Sequence, residues 1–125
     1  MSNVLLPLLS SQENDKSFLT SALKEVSTIV LLLVIDKQDL GKDFGFAANQ
    51  IYSGNKLLEE LKKLLDMKGF EVVDVMEWGD TLTKIVQASK MHKVDRIVLK
   101  KMDNHYFKKL VKDLEKQVKA KIEVF

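Results

Sequence analysis

Five runs of consecutive apolar residues recur along the chain, and between them apolar residues return every three or four positions. Consecutive apolar residues mark strands and the wider spacing marks helices. Residues 3–8 open the series with Val4, Leu5 and Leu6 together and Pro7 near the end. Proline has no N–H to give a ladder, so it fits a strand terminus. Ser10, Ser11 and Asn14 then offer N-caps for a helix over residues 15–27, in which Phe18, Leu19, Ala22, Leu23 and Val26 keep helical spacing. Residues 28–35 form an unbroken apolar run rich in β-branched side chains, as in a strand covered on both faces within a parallel sheet.

Residues 36–49 lose the periodicity. They hold Gly41, Gly45 and alternating charges and read as a loop. Phe44, Phe46 and, just beyond, Tyr52 are its apolar rings, and such rings fold down as a lid or meet a partner. Leu57, Leu58, Leu61, Leu64 and Leu65 then mark one helix face, closed by Gly69 as a C-terminal glycine. Residues 70–78 give a third strand, and Gly79 with Asp80 a turn and a cap. Leu82, Ile85, Val86 and Ser89 form the inner face of the next helix. Residues 95–99 form a fourth strand, Asp103 or Asn104 caps a last helix carrying Phe107, Leu110, Val111, Leu114 and Val118, and residues 121–125 close as a fifth strand.

The order βαβαβαβαβ predicts one α/β domain over residues 1–125. Helical crossovers require parallel strands and right-handed connections, which gives a three-layer αβα sandwich around a five-stranded parallel sheet. A chain of 125 residues buries an adequate core without disulfides or a metal.

Composition removes several chemistries. There is no cysteine, so disulfides, thiolate metal sites and a cysteine nucleophile are excluded. The N-terminus lacks a signal-peptide pattern, and the longest apolar stretch, residues 29–35, is too short to cross a bilayer. No membrane association and a cytoplasmic location are the expectations. The formal charge is +2, but residues 100–125 carry eight lysines against four acids. Arg96 is the only arginine. Base and phosphate readout leans on the arginine fork, so a lysine-rich solvated helix face is expected rather than a nucleic-acid partner.

His92 and His105 are the only histidines, and neither has a ligand partner at i+4, so no metal is expected. Ser10 and Ser11 lack a G-x-S-x-G elbow. Asp36 ends a strand, but the remaining acids of a phospho-acceptor site are missing around Leu8, Leu9 and Trp78. Trp78 either packs on the sheet edge or walls a crevice. No catalytic set emerges, and a non-enzymatic protein without a cofactor is expected.

Four segments resemble a known family: Val4-Leu5-Leu6-Pro7, Glu77-Trp78-Gly79-Asp80, Ile85-Val86-Gln87-Ala88 and Val94-Asp95-Arg96-Ile97-Val98. They are similar to the opening strand and central region of the universal stress proteins. The resemblance covers essentially the whole chain and rests on fold-bearing positions. It implies the adenine nucleotide alpha hydrolase-like arrangement, with the five predicted strands in the order 3-2-1-4-5. The order reverses between strands 1 and 4, so the ligand crevice should lie at their carboxyl ends, among residues 8–11, Asp36, Lys37 and residues 100–104.

In ATP-binding members of that family a G-x-x-G-(x9)-G-[S/T] run follows strand four, and its glycines bring backbone N–H groups to the phosphates. Here Lys100-Lys101-Met102-Asp103-Asn104 stands there, and no glycine follows Gly79. The aspartate expected after Pro7 is replaced by Leu8 and Leu9. The resemblance therefore implies a regulatory or interaction module that does not bind ATP in the family's usual manner. The alternative is a nucleotide or anion held by Ser10, Ser11, Asp36, Lys100 and Lys101 in the same crevice. The family's dimers imply a homodimer through the terminal strand, with Ile122, Val124 and Phe125 at the interface, and leave room for a protein partner.

Overall fold

The computed structural model describes residues 2–38, 40 and 43–125. Its strands are β1 (Ser2–Pro7), β2 (Val26–Asp36), β3 (Phe46–Ala47), β4 (Glu71–Trp78), β5 (Arg96–Leu99) and β6 (Lys121–Val124). Its helices are α1 (Lys16–Ala22), α2 (Ile51–Met67), α3 (Thr81–Met91) and α4 (His105–Gln117), with a 3₁₀ turn at Ala48–Gln50 before α2. Every strand pairing is parallel. The long strands run β4-β2-β1-β5-β6, the expected order 3-2-1-4-5 in the count of predicted strands.

Two expectations need correction. The sheet has six strands rather than five, because the loop after β2 contributes the two-residue β3. It pairs with Ile35 and Asp36, past the point where the β1–β2 ladder stops at Pro7 and Leu32. Gly41, one of that loop's two glycines, lies outside the described residues. The first helix ends at Ala22 rather than Ser27. Glu25 takes a left-handed φ of 58°, and its carbonyl accepts the Ser2 N–H at 3.0 Å. Val26 and Ser27 are thereby drawn into β2, and pairing with β1 overrides local helical spacing.

Alternation along the strands divides the core into two layers. Val4, Leu6, Leu8, Ile29, Leu31, Leu33, Ile35 and Val98 face α1 and α2. Leu5, Leu9, Val30, Leu32, Val34, Ile97 and Leu99 face α3 and α4. Burying one such side chain is worth about 1.5–3 kcal/mol, so β2 alone commits both faces of the sheet to helical cover.

Helix ends follow from single residues. Asp15, Asp80 and Asn104 cap α1, α3 and α4 by accepting from Phe18, Thr83 and Phe107 N–H at 2.9, 2.9 and 2.8 Å. At the end of α2, Gly69 has φ 91°, and the N–H groups of Gly69 and Phe70 return to the carbonyls of Asp66 and Leu65, which is the Schellman arrangement. Gly54, inside α2, serves another purpose. A β-carbon there would come within 2.9 Å of Leu33 Cδ1 and 3.2 Å of Phe46 Cδ1, so glycine lets α2 close onto β2 and β3.

The single arginine joins four segments at the amino edge of the sheet. Arg96 donates to Ser2 Oγ, to the Lys24 carbonyl and, at 2.6 Å, to Glu123. Its fork is used internally, so it is a structural residue.

Two glycine variants separate packing from backbone freedom. Gly54→Val overpacks the α2–β2 contact and should destabilise by about 2 kcal/mol. Gly69→Ala meets no atom within 4 Å and should lose only about 1 kcal/mol through its left-handed φ. Urea unfolding midpoints would reveal whether this order holds.

Candidate functional site at the carboxyl edge of the sheet

Pro7 opens the crevice. Asn3 exchanges hydrogen bonds with Asp95 on the β5 side, whereas Leu8 donates to Leu32 on the β2 side. By this alternation Pro7 turns its nitrogen toward β5 with no hydrogen to donate. The β1–β5 ladder is confined to Val4↔Arg96 and Leu5↔Ile97, and the two strands part where the sheet order reverses.

Beyond that point the chain fills the gap. Leu8 and Leu9, where the family's aspartate would stand, are buried and enter opposite layers. Ser10 turns inward to Glu13. Glu13 Oε2 accepts from the Leu9 N–H at 3.1 Å, the Ser10 N–H at 2.9 Å and the Ser10 hydroxyl at 2.8 Å. Glu13 is wholly buried, and its Oε1 has no partner among the described residues. Ser11 is exposed with φ 62°, and among the described residues its hydroxyl bonds only to the Ser10 carbonyl. The two serines are adjacent in sequence, but the loop engages one and leaves the other in solvent. Sequence reading passed over Glu13. The one signal for it was a carboxylate three residues after Ser10, the spacing at which a side chain folds back on a turn.

Asp36 is also engaged. Its Oδ2 accepts from Thr81 N–H and from Thr81 Oγ1, both at 2.9 Å, and its Oδ1 accepts from Gln38 N–H at 3.0 Å. Thr81 is the first residue of α3. The carboxylate therefore fastens the end of β2 to the start of α3, and no oxygen of it is left without a bond.

The segment after β5 continues the sheet. Phe125 donates to Leu99 O at 2.9 Å, and Lys101 donates to Phe125 O at 2.8 Å. The Lys100 ammonium lies 5.8 Å from the centre of the Phe18 ring, with Phe125 edge-on to that ring at 6.5 Å. The Lys100 stem thus lies along the α1 side, while Lys101 is exposed.

The loop before β3 crosses the gap from the other side. Gly45, at φ 70°, donates to Leu9 O at 2.7 Å. Phe44 is buried among Leu9, Leu99 and Phe107, with its ring 6.1 Å from that of Tyr106. Phe46 enters the opposite layer. These two rings fold down as the lid reading expected, whereas Tyr52 is exposed. Trp78 is half-exposed at the end of β4. Among the described residues, no cluster of His, Asp or Glu could hold a metal ion. No helix among them is long and apolar enough to cross a membrane.

Comparison with known proteins follows this geometry. No protein-family model matches the chain, and no curated protein matches it in sequence. Solved structures match over nearly its full length. A universal stress protein family protein from Arabidopsis thaliana with AMP bound has a TM-score of 0.68 at 15% identity, covering 100% of this chain and 91% of that one. One from Burkholderia pseudomallei has 0.65 at 15%, covering 99% and 95%. The universal stress protein from Archaeoglobus fulgidus in complex with dAMP has 0.64 at 10%, covering 99% and 97%. These likenesses establish the fold, an α/β sandwich of the universal stress protein type.

Asp36 and Lys101 should separate cleanly on substitution. Asp36→Ala leaves a buried hydroxyl and a helix-terminal N–H without an acceptor and should cost about 3 kcal/mol. Lys101→Ala changes an exposed side chain and should stay within about 0.5 kcal/mol. Equal stability losses in chemical denaturation would mean that the Asp36–Thr81 clamp is not what fastens α3.

Proposed function

We propose that this chain is a universal stress protein-like regulatory or interaction module, without enzymatic activity, that does not hold ATP as the ATP-binding members of that family do. The observation that carries the reading is the Lys101 N–H, which donates to the carbonyl of Phe125 at 2.8 Å. A phosphate cradle needs free backbone donors after this strand, and here Phe125 takes one. The buried Phe44 ring and the Gly45–Leu9 hydrogen bond support the same reading, since they occupy the mouth of the crevice. A cytoplasmic location goes with it.

The second reading is a nucleotide or anion held at Ser10, Ser11, Asp36, Lys100 and Lys101. It is favoured by the AMP and dAMP in the Arabidopsis and Archaeoglobus structures of the same fold. The two readings part in calorimetry with ATP, ADP and AMP, with and without magnesium. The module reading expects no crevice-dependent heat at millimolar nucleotide. Saturable binding abolished by Lys100→Ala with Lys101→Ala would replace it with the second.

The partner within this reading is a second copy. Among the described residues β6 pairs only with β5, and it carries half-buried Ile122 with exposed Val124 and, just beyond, Phe125. An unpaired apolar edge is a template for strand addition, and a two-fold axis would close it. Sedimentation velocity should show a dimer that Val124→Lys weakens; a monomer at all concentrations would remove the dimer from the proposal.

A further inference from the structure

The amino edge of the sheet holds a cationic cleft that neither the fold nor the crevice explains. The C-terminal ends of α3 and α4 border a surface cleft of about 450 Å³, half open to solvent. Lys90, Lys93 and Lys119 line it, with the Gln117 amide, and no acidic side chain does. None of the three lysines takes part in an ion pair among the described residues. Ser89 lines the same space. Its side chain is buried, at 6% exposure, and its hydroxyl makes no hydrogen bond among the described residues. Among the described residues the one buried side-chain polar atom without a partner is Glu13 Oε1, so the Ser89 hydroxyl reaches the open space of the cleft, beside three uncompensated lysines.

The bland account is that lysines gather at helix C-termini to meet the negative end of the dipole. The last turn of α3 leaves little for them to do there. The carbonyls of Ala88, Ser89 and Lys90 already accept the N–H groups of His92, Val94 and Lys93 at 3.0, 3.2 and 3.3 Å. That is the arrangement seen at the end of α2, with one difference. At α2 the left-handed position is Gly69, whereas at α3 it is Lys93, at φ 50°. A side chain is disfavoured in that conformation. The fold tolerates it at a position where a lysine lines the cleft.

We infer that this cleft binds a compact, multiply charged oxyanion of the phosphate class, with pyrophosphate as its simplest form. Three ammonium groups supply point charges, which suit phosphate without requiring the planar fork of arginine. The Ser89 hydroxyl and Gln117 amide supply neutral hydrogen bonds. Val94 and Ala120 are the only apolar lining residues and no aromatic ring is present, so nothing in the lining would stack on a base. The inference does not depend on the reading of the crevice, which lies at the opposite edge of the sheet.

The test is a ¹⁵N–¹H NMR titration of the full chain with sodium pyrophosphate at constant ionic strength. The expected result is saturable shifts confined to residues 89–94 and 117–120. Lys93→Gly should weaken binding about tenfold, the loss of one charge–charge contact, while raising the unfolding midpoint by about 3 °C. Misfolding cannot account for that combination. Ser89→Ala should weaken binding as well, and Lys100→Ala with Lys101→Ala should leave it unchanged. Shifts spread over Lys108, Lys109 and Lys112, failure to saturate in the millimolar range, or unchanged affinity in Lys93→Gly would each overturn the inference. ATP heat that survives the Lys100 and Lys101 changes but falls in Lys93→Gly belongs to this cleft and leaves the reading of the crevice intact.

Discussion

From Ile29 to Ile35, β2 has no solvent-facing side. Ile29, Leu31, Leu33 and Ile35 need one covering layer, while Val30, Leu32 and Val34 need another. An antiparallel hairpin would leave one face wet, so helices must cover both faces and their crossovers make the neighbouring strands parallel. The remaining strands and helices are placed by this requirement. β1 and β4 flank β2, α1 and α2 cover one layer, and α3 and α4 cover the other. Asp36 sits at the end of this strand and carries its position directly into the start of α3 through Thr81.

Parallel order also sends every helix N-terminus to the carboxyl edge and every helix C-terminus to the amino edge. The positive ends of the helix dipoles therefore gather where folds of this type take ligands. In this chain they are met from within. Asp15 and Asp80 cap α1 and α3, Asp36 adds its carboxylate to α3, and Asn104 caps α4. An incoming phosphate would meet carboxylates at α1 and α3. The amino edge has the opposite character, with Lys90, Lys93 and Lys119 near the ends of α3 and α4.

Much of the fold was legible in the sequence because its signals are local. The apolar run of β2, the leucine stripe of α2, Gly69 as a left-handed terminus and Asp80 as a cap each act through immediate neighbours. The exceptions were settled at a distance. Val26 and Ser27 have helical spacing but are strand residues, because the Ser2 N–H reaches the carbonyl of Glu25. β3 exists because the end of β2 offers Ile35 and Asp36 for pairing once β1 has stopped. The candidate site was less legible. Ser10, Asp36 and Lys100 are where the topology put them, but their bonding to Glu13, Thr81 and Phe18 joins segments whose approach no local pattern encodes.

The sequence by itself determined the alternation of strands and helices, the absence of thiol chemistry and the lack of a glycine run after β5. These depend on residue type, period and backbone freedom, all of which are written locally. Tertiary structure alone decided that the Lys101 N–H meets Phe125, that Phe44 folds into the crevice mouth, and that Ser89 and three lysines at the ends of two helices line one cleft. Each of these joins residues far apart in the chain, and only packing against the shared sheet brings them together.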